Sequence, residues 1–205
     1  MVLIAGDVTW HPSLFSAVRW MNREFRQWCE DIGVPIVLVA GNHDECLVGY
    51  RKDLISLAPN VTYLEDEIAK ISDMLIFGSP WTKTFMDWSF MKDEEGLERH
   101  FGRLPLADIY VVHSPPYGYG DWSSYGNEHT GSPMLLEKIR ENQPRVVVWG
   151  HIHNGSGQWN IGNTLACNVS YVDDDYRPRG ELLKIEYNGR VATGTTITEE
   201  EETGA

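Results

Sequence analysis

Four short apolar runs, MVLIA (1–5), IVLVA (36–40), IYVV (109–112) and VVVW (146–149), each stop at residues able to bind a metal or a proton. Near-continuous Val, Ile and Leu, without alternation, is the pattern of strands covered on both faces, as in parallel α/β sheets. Between the first two runs lies SLFSAVRWMNREFRQWCEDIG. There Ser13 can cap a helix, Leu14, Val18, Met21, Phe25 and Trp28 or Cys29 recur at helical spacing, and Gly33 closes it. The result is a strand-helix-strand unit.

The same signals predict helices over 46–57, about 93–102, and Ser132 to Asn142 with Pro133 in its first turn. Strands are expected near 61–64, 74–78, 164–169, 181–187 and 190–197, the last two joined through Asn188-Gly189 as a hairpin. The sum is one α/β domain over 1–198 with a late antiparallel portion, followed by EEEETGA (199–205), an acidic solvated tail expected to be disordered. Two stretches, 78–90 and 114–132, read as long aromatic, Gly- and Pro-rich loops. Their Trp81, Phe85, Trp88 and Phe90 either cover a binding site or plug the edges of the core.

The strand ends carry the chemistry. The first gives Asp7, the second Asn42, His43 and Asp44, the third His113, and the fourth His151 and His153. In a mainly parallel sheet these ends share one edge, where open α/β sheets place their ligand crevice. A Gly-Asp turn or a lone boundary histidine is usually structural. Together they supply a carboxylate, an amide oxygen and several imidazoles, a ligand set suited to Mn, Fe, Zn or Ni rather than to calcium. In extended chain, His151 and His153 point to the same side, and Gly150 and Gly155 permit close backbone approach.

Charge narrows the partners. Seventeen Lys plus Arg against thirty Asp plus Glu leave a formal charge of -13, which repels phosphate backbones and disfavours a nuclease acting on long nucleic acid. No apolar run reaches the length of a membrane span, and the first residues do not read as a signal peptide, so a cytoplasmic protein without a membrane partner is expected. Three cysteines without CxxC spacing fit reduced thiols.

The order GD, GNHD, isolated His and GHxH resembles the signatures of the calcineurin-like metallophosphoesterase superfamily. YLEDE, FGSPWTKTFMDWSF, VVHSPPYGYGDW, VWGHIHNGSG and ACNVSY are similar to segments of its metallophosphoesterase-domain-containing group of phosphodiesterases, to about residue 187. The resemblance implies an α/β fold of the four-layer αββα type, with a two-metal centre at one sheet edge. It implies that Asp7 bridges both ions, that Asn42, His113 and His151 complete the second site, and that His153 belongs to the first. It further implies that His43 protonates the leaving oxygen, steadied by Asp44.

One departure matters. In that superfamily an Asp-x-His strand precedes the GD strand and ligates the first metal. Here Gly6-Asp7 follows Met1 at once, so the fold is expected to lack its first strand, through a fragment or a start site placed too late. One firmly held ion, with Mn favoured over Fe, Zn or Ni, and one incomplete site are therefore expected. His11 is either a substitute ligand or a plain loop histidine, and His100 and His129 are given no role.

The reading is a metal-dependent phosphoesterase acting on a small phosphate-ester substrate, phosphodiesters foremost and monoesters besides, through metal-activated water. Its competitor is a weak or inactive single-metal module that holds a phosphate or nucleotide without turnover. A protein phosphatase is disfavoured, because Val8, Thr9 and Trp10 follow Asp7 and Ala40 precedes Gly41, where that family places arginines.

Overall fold

The computed structural model describes residues 1–11, 13–179, 181–189 and 191–198. The acidic segment 199–205 lies outside the described residues.

Helix formation begins where expected. Ser13 is extended, and its hydroxyl accepts the Ser16 N–H at 3.2 Å. The helical run comprises α1 (Leu14–Trp20), one π-helical turn (Met21–Phe25) and α2 (Arg26–Ile32). Gly33 ends it in the left-handed region at φ 67°, which costs a glycine little. Met21, Phe25 and Cys29 form its buried stripe.

Two sheets face each other. The smaller is parallel, with β1 (Val2–Ala5), β2 (Ile36–Val39) and β3 (Val61–Tyr63) in that order. The larger includes β4 (Glu67–Ile71) and β5 (Met74–Ser79). Two short pairs follow in the aromatic loops: β6 (Thr82–Lys83) with β7 (Met91–Lys92), and β9 (Trp122–Ser123) with β10 (Glu128–His129). The rest of the larger sheet is β8 (Ile109–Val112), β11 (Val146–Trp149), β12 (Gly157–Ile161) and β13 (Thr164–Asn168). Its order is β12-β13-β11-β8-β5-β4, parallel except for the two edge strands.

Alternation along each strand assigns the layers. In β8, Ile109 and Val111 face the smaller sheet, while Tyr110 and Val112 face α3 (Glu94–Phe101) and α4 (Pro133–Asn142). In β11, Val146 and Val148 point inward between the sheets, and Val147 and Trp149 point to the helices. In β2, Val37 and Val39 join the inter-sheet core, while Ile36 and Leu38 pack under α1 and α2 with Met21, Phe25 and Cys29. The layers thus run helix, sheet, sheet, helix, the expected αββα sandwich. A hairpin of β14 (Glu181–Tyr187) and β15 (Ala192–Thr198) lays Leu183, Ile185 and Ala192 on the inter-sheet core.

Three expectations are corrected. The four ligand-bearing ends belong to two facing sheets rather than one, because β1 and β2 pair with each other and β8 with β11. The helix expected over 46–57 is two 3-10 segments, Glu45–Leu47 and Gly49–Leu54, since Val48 is extended and Gly49 adopts φ 54°. Strands β4 and β12 are additional. Of the four loop aromatics, Phe90 is buried and Trp81 packs on the cores, whereas Phe85 is exposed. Cys29, Cys46 and Cys167 are free and buried. Among the described residues, no helix is long and apolar enough to cross a membrane.

Trp149 is fully buried and stacks on Trp159 at 5.8 Å, yet among the described residues its indole N–H has no partner. Trp149→Ala should therefore destabilise by about 3–5 kcal/mol. Trp149→Phe removes the orphaned donor along with part of the ring, so it should lose distinctly less in urea unfolding.

Candidate metal centre

Asp7, at the end of β1, sits at φ 57°, and His151, just past β11, at φ 67°. Both are in the left-handed region, which side chains enter at a cost and which often marks a functional turn. Gly6 and Gly41 make the crowding tolerable. A Cβ on Gly6 would lie 2.6 Å from His113 Nδ1, and one on Gly41 would overlap the Asp7 carboxylate. The glycines preceding Asp7 and Asn42 are thus required for close approach.

A buried carboxylate sets the first loop. Asp44 accepts the backbone N–H groups of Asp7 (2.8 Å), Val8 (3.4 Å), Thr9 (2.8 Å) and Gly41 (2.8 Å), and the Thr9 hydroxyl at 2.9 Å. Burial and the nearby Asp7 charge push Asp44 up to about 6, against the Gly41 and Thr9 donors that favour its ionised form. Its link to His43 runs through Thr9, whose hydroxyl also reaches the His43 carbonyl at 3.1 Å. The His43 N–H in turn donates to Asp7 Oδ1 at 2.9 Å.

Asp7, His113 and His151 bring one ligand atom each to within 4.8 Å of one another. His113, fully buried, donates from Nδ1 to the Ala5 carbonyl at 2.7 Å, since a carbonyl can only accept. Its Nε2 therefore faces the cluster, 3.2 Å from Asp7 Oδ2 and 3.0 Å from Asn42 Oδ1. A second-nitrogen bond to a backbone carbonyl is the usual way a metal-binding histidine is oriented. Two oxygens converging on that nitrogen, with His151 beside it at a ring distance of 5.0 Å, suit a transition-metal ion.

The electrostatics agree. Burial opposes the Asp7 charge, but His113, His43 and His151 outweigh it and hold the carboxyl well below its usual range. Burial disfavours the charged form of His113, yet Asp7 and the Ala5 carbonyl raise its pKa, so a cation at Nε2 would have to displace a proton. Burial, then the His113 charge, lowers His151 to about 3, leaving a neutral imidazole ready to ligate.

The remaining expected residues lie around this cluster. His153 stands outside the tight group, its Nδ1 donating to the Asp173 carbonyl at 3.1 Å. His43 is wedged between Trp88, at 3.9 Å, and Trp10, at 4.8 Å. His11 is exposed and contacts Trp20. His100 instead bonds Ser79 and Asp66, and His129 bonds Asp121. Sequence reasoning missed the Asp44 anchor, the two left-handed residues, and Trp10 and Tyr176.

Asp44→Ala would leave the N–H groups of Asp7, Val8, Thr9 and Gly41 without this acceptor, while the Thr9 hydroxyl keeps the His43 carbonyl. A loss of at least ~3 kcal/mol is expected from such unmet donors, read by urea unfolding of the metal-free protein.

The family model of the calcineurin-like phosphoesterases matches residues 1–155. Human metallophosphoesterase domain-containing protein 1 is 29% identical over 202 residues, an alignment covering 84% of this chain and 62% of that relative. The chain therefore spans less than two thirds of that relative's length. A probable cyclic nucleotide phosphodiesterase of Synechococcus is 23% identical, covering 85% of this chain and 66% of the relative. A solved crystal structure shares the fold with a TM-score of 0.65 at 19% identity, over 90% of this chain and 74% of its own. With the sandwich, the signature residues and a family match over three quarters of its length, the chain belongs to the calcineurin-like phosphoesterase family.

Proposed function

We propose that the chain is a metal-dependent phosphoesterase that hydrolyses phosphodiesters, and monoesters besides. The observation that carries this reading is the convergence of Asp7, His113 and His151 within 4.8 Å, with Nε2 of His113 turned into the cluster. Asp7, Asn42, His113 and His151 would hold one divalent ion, Mn ahead of Fe, Zn or Ni. Asp7 and His153 would lend two ligands to a second. A cation there would supply Lewis acidity toward a phosphoryl oxygen and an attacking water.

The chain's own residues do the rest. His113 and Asp44 fix the ligand side chains and the loop before chemistry begins. His43 stands beside Asp7 and would protonate the leaving oxygen. Burial lowers the pKa of its imidazole against the opposing Asp7 charge, which favours the neutral form in the free protein. The negative phosphoryl group of a bound substrate favours the imidazolium and so returns the proton. Phosphodiesters come first because the Synechococcus relative bears the name of a cyclic nucleotide phosphodiesterase. A small phosphate-ester partner, a cytoplasmic setting and no nucleic-acid or membrane partner complete the reading.

Asp7→Ala should remove bound Mn, measured by metal analysis after desalting. Full metal content in that variant would defeat the ligand assignment. His43→Ala should keep the metal while turnover of a chromogenic phosphodiester falls by about 10²–10⁴. No Mn-dependent turnover in the unaltered chain would favour a binding module without catalysis.

A further inference from the structure

Aromatic side chains from separate loops gather on the side of the centre where His43 lies. Trp10 is 65% exposed and Tyr176 50% exposed, and their rings meet at 5.0 Å. Trp10 also lies 6.4 Å from Trp88, so that Trp10 and Trp88 flank His43 while Tyr176 sits 5.1 Å from His153. Single exposed aromatics are ordinary, but a contiguous set beside a cluster of ligands marks a binding surface.

Tyr176 is held there deliberately. It adopts φ 61°, a left-handed conformation that a bulky side chain enters at a cost. The Asp173 carboxylate secures its loop by accepting the N–H groups of Asp175 and Arg177, each at 2.9 Å. The same loops carry exposed Asp87 and Asp174, while Asp175 pairs with Arg177 at 3.0 Å, and the formal charge of -13 repels polyanions.

We propose that Trp10 and Tyr176 form the leaving-group subsite, and that the leaving alcohol carries a planar aromatic ring without further phosphates. This rests on the phosphoesterase reading for the phosphoryl end. A proton donor must stand next to the leaving oxygen, so the group borne by that oxygen lies on the His43 side, against these rings. In the hydrolysis, an O–P bond forms to water and the P–O bond to the leaving oxygen breaks. The leaving oxygen takes the His43 proton, and the water's proton passes to solvent. The products are the aromatic alcohol and a phosphomonoester. Stacking then contributes binding through the ring face, while the chain's acidic balance selects against nucleic-acid chains.

Calorimetric titration of the Mn-loaded chain with benzylphosphonate and ethylphosphonate tests this without turnover, because the C–P bond is not hydrolysed. Benzylphosphonate should bind about tenfold tighter. Trp10→Ala and Tyr176→Leu should each reduce that preference severalfold, and Tyr176→Phe should keep it. Ethylphosphonate binding in each variant reports an intact phosphoryl end. Equal affinities for the two ligands, or a preference untouched in both Trp10→Ala and Tyr176→Leu, would overturn the subsite and leave the phosphoesterase reading standing. If neither ligand binds the Mn-loaded unaltered chain, the phosphoesterase reading fails and the subsite falls with it.

Discussion

One hydrogen bond spans the two sheets at the place where the chemistry gathers: Nδ1 of His113, on the larger sheet, donates to the Ala5 carbonyl of the smaller. It fixes the tautomer, the ring plane and the direction of Nε2. Everything else in the candidate centre is arranged against that ring. Asp7 and Asn42 turn their oxygens toward it from β1 and β2, and His151 approaches from β11. A sandwich suits the task because two sheets with inward-facing Val and Ile hold their C-terminal edges at a fixed separation.

Asp44 gives the second constraint. A fully buried carboxylate encircled by backbone donors can be kept only if every donor is in place, so it specifies the path of residues 6–9 and 41–44 together. That path forces Asp7 into the left-handed region and excludes a side chain at position 41. Local strain and glycine placement are thus consequences of presenting a carboxylate at a turn, paired to a partner 37 residues away in the chain.

Much of this was legible before folding. The Ser13 cap and the Gly33 stop rest on local chemistry, and the strands at 109–112 and 146–149 coincide with their apolar runs. The gathering of Asp7, His113 and His151 was legible too, because each ends such a run. The division into two sheets was not, since β2, β8 and β11 are buried on both faces and their pattern says nothing about which neighbour each pairs with. The edge strand β4, EIAKI, is half exposed and reads weakly as a strand. Nor could spacing reveal that Asp44 serves backbone donors, or that residues 10 and 176 meet, because both depend on loop geometry set by distant packing.

The central claim is that ends of strands from two sheets converge to hold one cation. Crystals grown with Mn and measured for anomalous scattering test it most directly. The account predicts a peak within bonding distance, about 2.0–2.4 Å, of Asp7, Asn42 Oδ1, His113 Nε2 and His151. A strong peak elsewhere, or none between those four side chains at saturating Mn, would contradict it.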